Sequence, residues 1–222
     1  MRFKAVLFDL DGTLFDTAPD IMAACNKTLS YFGFSTLDES ILRHKVADGM
    51  RAMMRLGVPA SRWKETEPNT PMYNMFAQSY TQNCANLTIP FDGIEELIMS
   101  LHQSGIKLAV ISNKYQNMIN ALFSNFPFTK AFEMVLGGDS CAHSKPHPEP
   151  ILTALDKLKV IPADALYVGD FITDIQASKN AGCASCAVKW GYGQYDGDDI
   201  AKWGADFIAN TPQDILDTVQ KI

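Results

Sequence analysis

The chain has 222 residues, of which 47% are hydrophobic and 20% are charged, and its formal net charge is −6. This composition belongs to a globular protein long enough to bury its own core, which excludes disordered, collagen-like and coiled-coil chains. The acidic balance also argues against sequence-independent binding of nucleic acid. An anionic ligand must therefore be held by a few placed cations or by a metal.

The cysteines and the start of the chain indicate a cellular compartment. Five cysteines are scattered along a chain that needs no disulfide to fold, which favours a reducing environment. The first apolar run is short and is broken by Asp9 and Asp11, so it predicts neither a signal peptide nor a membrane span. We expect a cytoplasmic protein that does not contact a membrane.

Taken in chain order, short apolar runs alternate with segments of helical periodicity. The first run, over residues 3–8, ends at Asp9 and is typical of a strand covered on both faces. Similar runs follow at Leu108–Ile111, Met134–Leu136, Ala165–Val168 and Cys186–Val188, with a weaker one at Asp206–Ala209. This alternation predicts an α/β fold with a doubly wound, mainly parallel sheet.

The segment that follows the first strand interrupts this alternation. Its patterns predict helices only, over Pro19–Phe32, Asp38–Leu56 and Met72–Asn83. We therefore predict an α/β core formed by residues 1–15 and 84–222, with an all-helical cap domain inserted at 16–83.

The first cluster of polar residues, Asp9-Leu10-Asp11-Gly12, directly follows the first predicted strand. Residues i and i+2 leave an extended chain on the same side, so both carboxylates can point to one place, and Gly12 lets the backbone pass close to a ligand. A hard cation such as Mg²⁺ would relieve the repulsion between the two charges. The simpler interpretation, a hairpin turn, lacks a partner strand because the next segment is helical.

Three further clusters follow later strands. Ser112 and Asn113 can donate hydrogen bonds to a phosphate or simply form a turn, and Lys145 is either a phosphate ligand or an exposed loop lysine. Asp170 and Asp174 can share one face, or can cap a helix. Because ligands bind at the carboxyl edge of parallel sheets, the joint placement of these clusters favours phosphoryl transfer with Mg²⁺.

The set of motifs resembles that of the haloacid dehalogenase-like hydrolase superfamily, in the same order. The matching motifs are Asp9-Leu10-Asp11-Gly12-Thr13-Leu14, Ser112-Asn113, Lys145-Pro146 and Gly169-Asp170-x-x-x-Asp174. Finer features, such as Trp190-Gly191-Tyr192-Gly193, resemble the phosphoglycolate phosphatase branch. One departure is Phe171-Ile172-Thr173, where relatives usually carry small or polar residues.

This resemblance implies a role for each residue. Asp9 would be the nucleophile, and Asp11 the general acid and then the general base. Mg²⁺ would be held by Asp9, the backbone carbonyl of Asp11, and Asp170, while Asp174 would orient a metal-bound water or Lys145. The phosphate would be contacted by Ser112, Asn113, Lys145 and backbone N–H groups near Gly12.

The predicted cap would choose the substrate. Val46-Ala47-Asp48-Gly49 resembles the family's cap loop that faces the core, and Arg43, Lys45 and Arg51 flank it. These cations could meet a substrate carboxylate, although a solvated helix face is the simpler interpretation for each of them.

The leading hypothesis is a Mg²⁺-dependent hydrolase of a small phosphorylated metabolite, with 2-phosphoglycolate as the first candidate. A β-phosphoglucomutase-like enzyme would use the same aspartyl-phosphate but return the phosphoryl group to a sugar. A phospho-acceptor signalling module would use Asp, Mg²⁺ and Lys without turnover. A dehalogenase would have no leaving oxygen for Asp11 to protonate.

Overall fold

The computed structural model describes residues 2–193 and 199–220, and the chain divides into two compact units. One unit comprises Met1–Asp16 with Pro90–Ile222, and the other is Thr17–Ile89. The first unit carries the predicted sheet, and the second is helical.

Six parallel strands form the sheet of the first unit. They are β1 (Ala5–Phe8), β4 (Lys107–Ile111), β5 (Met134–Leu136), β6 (Ala165–Gly169), β7 (Ala184–Val188) and β8 (Phe207–Ala209), in the order β5-β4-β1-β6-β7-β8. Two short strands, β2 (Phe15–Asp16) and β3 (Ile89–Pro90), lie outside this sheet. The doubly wound parallel sheet predicted from the sequence is therefore confirmed.

The central strand β1 is the place where the chain changes direction across the sheet. Its register pairs Phe8 with Val110 of β4 on one side and with Val168 of β6 on the other. Since all three strands are parallel, their carboxyl ends meet at one edge. Such a switch point is where open α/β sheets bind ligands.

Helices of the first unit cover the sheet. They are α5 (Ile94–Gln103), α6 (Gln116–Phe123), α7 (Glu149–Leu158), α8 (Ile172–Ala181) and α9 (Pro212–Gln220). On one face, Leu7, Ala109 and Tyr167 pack with apolar residues of α7 and α8 in a single buried cluster. Burial on both faces explains why the strands are continuous apolar runs instead of alternating ones.

The helical unit contains α1 (Ala18–Tyr31), α2 (Glu39–Arg43), α3 (Gly49–Gly57) and α4 (Pro71–Asn83), and α1 packs against α4. The prediction of one continuous helix over Asp38–Leu56 was wrong, because the chain forms turns between α2 and α3. Gly49 adopts a φ of +84°, a left-handed conformation that an uninterrupted helix cannot accommodate.

Residues 84–89, which the sequence prediction assigned to the α/β core, group with the helical unit instead. The buried Asp20 carboxylate on α1 accepts hydrogen bonds from the backbone N–H groups of Leu87 and Thr88 and from the Thr88 hydroxyl, at 2.8–3.1 Å. These bonds fix the end of the inserted segment to its first helix.

Among the helices within 2–193 and 199–220, none combines the length and the apolar character that crossing a bilayer would need.

Candidate active site

Four of the predicted site residues meet at the carboxyl edge of the sheet. Asp9 directly follows β1, Ser112 follows β4 and Asp170 follows β6, while Lys145 reaches the edge from the loop before α7. The parallel register places the three strand ends side by side. The sheet thus brings together residues more than 100 positions apart in the chain.

Lys145 is the buried cation of this edge. Its Nζ lies 2.8 Å from Asp9 Oδ1 and 2.7 Å from Asp174 Oδ1, and it donates to the hydroxyl of Tyr167 at 2.9 Å. Burial lowers the pKa of Lys145, but the charges of Asp174 and Asp9 outweigh burial and raise it well above the usual value. The side chain is therefore a fixed positive charge.

Asp9 forms a buried ion pair with Lys145. Its Oδ1 lies 2.8 Å from Lys145 Nζ and has no further hydrogen-bond partner among the described residues. Burial, with a smaller contribution from Asp174, raises the pKa of Asp9 to about 7 against the opposing charge of Lys145. A buried carboxylate whose oxygen meets a single cation can still accept from a ligand.

Asp9, Asp170 and Asp174 form a compact group of acids, with ligand oxygens within 4.8 Å of one another. The side chain of Asp170 accepts hydrogen bonds from the hydroxyl of Thr13 at 3.0 Å and from the backbone N–H of Tyr192 at 2.7 Å. Burial and the charges of Asp9 and Asp174 nevertheless raise the pKa of Asp170 well above its usual value. Clustered oxygen donors with excess negative charge suit a hard divalent cation such as Mg²⁺.

Glycines make room for Asp170. Gly12 has a φ of +81°, and a Cβ at this position would collide with the Asp170 carboxylate. A Cβ at Gly191 would collide with Asp170 and with the carbonyl oxygen of Gly12. The first motif and the Trp190–Gly193 segment therefore pack on either side of this carboxylate, which the sequence alone did not reveal.

Asp174 has a positioning geometry that uses both of its carboxylate oxygens. Oδ2 accepts from the backbone N–H of Phe171 at 3.0 Å, at the start of α8, and Oδ1 accepts from Lys145 Nζ. The unusual Phe171-Ile172 pair does not disturb this arrangement. Phe171 contacts the ring of Trp203 edge-on, and Ile172 packs against the apolar cluster that includes Trp203.

Ser112 and Asn113 differ in what their side chains do. Ser112 is buried, and its Oγ accepts from the backbone N–H of Lys114 at 3.2 Å. The Asn113 amide donates to the Lys145 carbonyl at 3.1 Å and accepts from the Lys145 N–H at 3.0 Å. This amide therefore positions the Lys145 backbone. Because its NH₂ group carries a second N–H donor, these bonds are compatible with the phosphate contact of Asn113, which stays a prediction.

Sequence reasoning missed two residues of the site. Lys114 Nζ lies 2.6 Å from Asp11 Oδ1 and its side chain is only 6% exposed. The Tyr167 hydroxyl donates to the carbonyl of Ile111 at 2.8 Å and accepts from Lys145 Nζ. It therefore holds the Lys145 ammonium near the end of β4. Lys114 could have been found from its place directly after Ser112-Asn113, whereas Tyr167 is hidden within an apolar strand.

The three cations predicted to contact substrate all lie in the helical unit. Lys45 pairs with Asp48 at 2.8 Å and Arg51 with Glu67 at 3.1 Å, and all four side chains are partly exposed. Arg43 is the last residue of α2. Their contact with a substrate stays a prediction.

Comparison with known proteins agrees with this geometry. A model of the haloacid dehalogenase-like hydrolases matches residues 6–188, which include every motif of the sheet edge. The chain belongs to this family.

Named relatives are similar over nearly the whole chain. An N-acetylmuramic acid 6-phosphate phosphatase from Pseudomonas aeruginosa is 34% identical and covers 100% of this chain and 96% of its own length. A phosphoglycolate phosphatase from Xanthomonas campestris pv. campestris is 36% identical, covering 96% of this chain and 95% of its own. A crystal structure of a predicted phosphoglycolate phosphatase from Haemophilus somnus superposes with a TM-score of 0.87 at 27% identity, covering 99% of both chains. The chain is a phosphatase of the haloacid dehalogenase-like family.

The ion pair between Lys114 and Asp11 gives a prediction for turnover. Replacing Lys114 with Met removes the cation that orients Asp11, so we expect kcat to fall by at least about tenfold, a part of the 10²–10⁴ that a positioned acid or base supplies. Steady-state phosphate release from a generic phosphomonoester measures this effect.

A matched control lies at the other end of β4. Lys107 forms an exposed ion pair with Glu133 at 3.2 Å, so Lys107→Met should leave kcat within about twofold of wild type, as expected for a surface pair. Equal activity of the two variants would contradict a role for Lys114.

Proposed function

We propose that this phosphatase hydrolyses a small phosphomonoester with the help of Mg²⁺ through an aspartyl-phosphate on Asp9. The observation that carries the proposal is the grouping of Asp9 with the Lys145 ammonium, 2.8 Å away, and with two further acids at the sheet edge. This arrangement supplies a nucleophile, a fixed positive charge for the phosphoryl oxygens, and the ligands for a cation.

The first step would form the aspartyl-phosphate. An oxygen of Asp9 attacks phosphorus, the bond from phosphorus to the leaving oxygen breaks, and Asp11 donates a proton to that oxygen. Asp11 follows Asp9 by two residues and is held by Lys114, so it can serve a group bound at Asp9. Lys145 and Ser112 stabilise the charge on the phosphoryl oxygens as it develops.

The second step would restore the enzyme. Asp11 takes a proton from water, the water oxygen attacks phosphorus, and the bond to Asp9 breaks to release inorganic phosphate. The side chain of Asp11 is 23% exposed, so water can reach it and give up a proton to it.

The cation would be held by Asp9 and Asp170, together with the backbone carbonyl of Asp11 that the family resemblance implies. Asp174 pairs with the Lys145 ammonium at 2.7 Å and also accepts from the Phe171 N–H, so in this proposal it orients Lys145. When bound, Mg²⁺ would supply positive charge that offsets the repulsion between Asp9 and the phosphate.

The substrate we propose is a phosphomonoester that also carries a carboxylate. Two full-length relatives are named for phosphoglycolate and for N-acetylmuramic acid 6-phosphate, and both compounds have a phosphate ester and a carboxyl group. The cations Arg43, Lys45 and Arg51 would meet that carboxyl group. We retain 2-phosphoglycolate as the first candidate and take N-acetylmuramic acid 6-phosphate as the second.

The other hypotheses have less support. Relatives that match nearly the whole chain are named phosphatases, which favours release of phosphate over its return to a sugar and over a signalling module without turnover. Product analysis with a hexose 1-phosphate separates the hydrolase from the mutase, because a mutase releases little free phosphate.

Replacing Asp9 with Asn tests the nucleophile. We expect kcat to fall by more than about 10³-fold, and rapid acid quenching should trap a phosphoenzyme in wild type but not in the variant. Asp164→Asn is the control because Asp164 only forms a surface pair with Lys4 at 2.6 Å. Normal turnover by the Asp9→Asn protein would overturn the mechanism.

Replacing Asp170 with Asn tests the cation site independently of catalysis. Mg²⁺ at about 100 times its Kd should stabilise the wild-type protein by about 2.7 kcal/mol in urea unfolding, through binding to the folded state alone. The Asp170→Asn protein should show little of this stabilisation, whereas Asp164→Asn should show all of it. Equal stabilisation of all three proteins would place the ion elsewhere.

Matched substrate pairs test the carboxylate. We expect kcat/KM to be higher for 2-phosphoglycolate than for 2-hydroxyethyl phosphate, and higher for N-acetylmuramic acid 6-phosphate than for N-acetylglucosamine 6-phosphate. The expected ratio within each pair is about tenfold, because the carboxylate adds one ion pair or charge-assisted hydrogen bond. Arg51→Gln should reduce this ratio, and the control Arg62→Gln, which removes an exposed pair with Glu65, should not. Equal rates within both pairs would refute carboxylate recognition.

A further inference from the structure

A second group of metal-binding side chains lies apart from the acid group at the sheet edge. His143, His147 and Glu149 each offer a ligand atom within 4.8 Å of the others. His143 and His147 lie on the segment between β5 and α7 that also carries Lys145, and Glu149 is the first residue of α7. The side chains of His143 and Glu149 are 61% and 34% exposed, so an ion in solvent can reach them.

The donor atoms determine which metal this group suits. Two imidazoles and one carboxylate form a set used by three-ligand zinc sites, which leave a fourth position for water. Mg²⁺ prefers oxygen donors, as in the acid group, and seldom uses imidazole. We propose that His143, His147 and Glu149 form a surface site for a late first-row divalent cation of the Zn²⁺ class, separate from the Mg²⁺ site.

The protein holds these ligands close together before any ion binds. Glu149 Oε2 lies 2.8 Å from His143 Nδ1 and accepts from the His143 backbone N–H at 2.9 Å. The Glu149 N–H donates to His147 Nδ1 at 3.2 Å, and the two imidazole rings stack with centroids 4.2 Å apart. Pro146 and Pro148 further restrict the backbone.

This preorganisation lowers the entropic cost of binding. An ion would replace the contact between His143 Nδ1 and Glu149 Oε2, while the bond from the His143 backbone N–H to the Glu149 carboxylate persists. Coordination by His147 would release the Glu149 N–H from Nδ1, because a neutral imidazole that accepts at one ring nitrogen carries its proton on the other. It would also join residues on both sides of Lys145, and so restrain the segment that places the Lys145 ammonium beside Asp9. The opposing interpretation is that these bonds only fix the start of α7, which predicts no metal binding.

Calorimetric titration of Zn²⁺ into tag-free full-length protein, in the presence of excess Mg²⁺, tests the proposal. We expect one Zn²⁺ site per chain in wild type. His143→Gln and Glu149→Gln should each weaken it at least tenfold, because loss of a ligand costs no less than loss of an outer hydrogen-bond partner. Titration with Co²⁺ provides a second readout, since its visible spectrum distinguishes nitrogen and oxygen ligands from thiolate.

Three control variants identify the site. His102→Gln removes an exposed histidine of α5 and should leave Zn²⁺ binding unchanged, as should Asp170→Asn at the acid group. Cys141→Ser removes the partly exposed thiol two residues before His143 and should also leave binding unchanged. The proposal would be overturned if the wild-type protein did not bind Zn²⁺. It would also be overturned if Cys141→Ser or Asp170→Asn abolished Zn²⁺ binding while His143→Gln retained it. Circular dichroism confirms that each variant is folded.

Discussion

The buried ammonium of Lys145 is the interaction on which the sheet edge depends. A lysine that is 2% exposed is tolerated only when carboxylates surround it, and Asp9 and Asp174 do so at 2.8 and 2.7 Å. The same pairing opposes the effect of burial, which raises the pKa of Asp9. The site is therefore a set of charges that can exist only together, and loss of Lys145 would leave uncompensated carboxylates next to one another.

Polar groups around the charged side chains of the sheet edge form hydrogen bonds that fix the positions of Lys145 and Asp170. Asn113 and Tyr167 position Lys145, while Thr13 and the Tyr192 N–H position Asp170. The charge balance is nevertheless incomplete, since three carboxylates lie together and the Lys145 ammonium pairs with two of them. A divalent cation would balance the excess negative charge of the carboxylates, and the bound cation and Lys145 would then hold a phosphoryl group.

The sequence predicted the residues whose position follows from the strands. Asp9 and Asp170 each come directly after an apolar run, so parallel pairing alone brings them to one edge. It did not predict where side chains point once the chain has left the sheet. Lys114 turns back to Asp11, and the Asn113 amide turns to Lys145, because of loop paths that no periodicity encodes. The continuous helix expected across Gly49 was wrong for a similar reason, since one residue's φ decided it.

The proposed function assigns different tasks to the two units. Residues 6–188 match one family model, and the candidate catalytic residues lie on the sheet edge of the first unit, whereas relatives are named for different esters. Under the proposed function, selection of the substrate would fall to the inserted helical unit. Its candidate cations Lys45 and Arg51 form partly exposed ion pairs with Asp48 and Glu67, and such pairs contribute at most about 1 kcal/mol each. Exchanging Asp48 or Glu67 for a substrate carboxylate would therefore cost little. On this proposal, small changes in the helical unit would redirect specificity without disturbing the buried charges at the sheet edge.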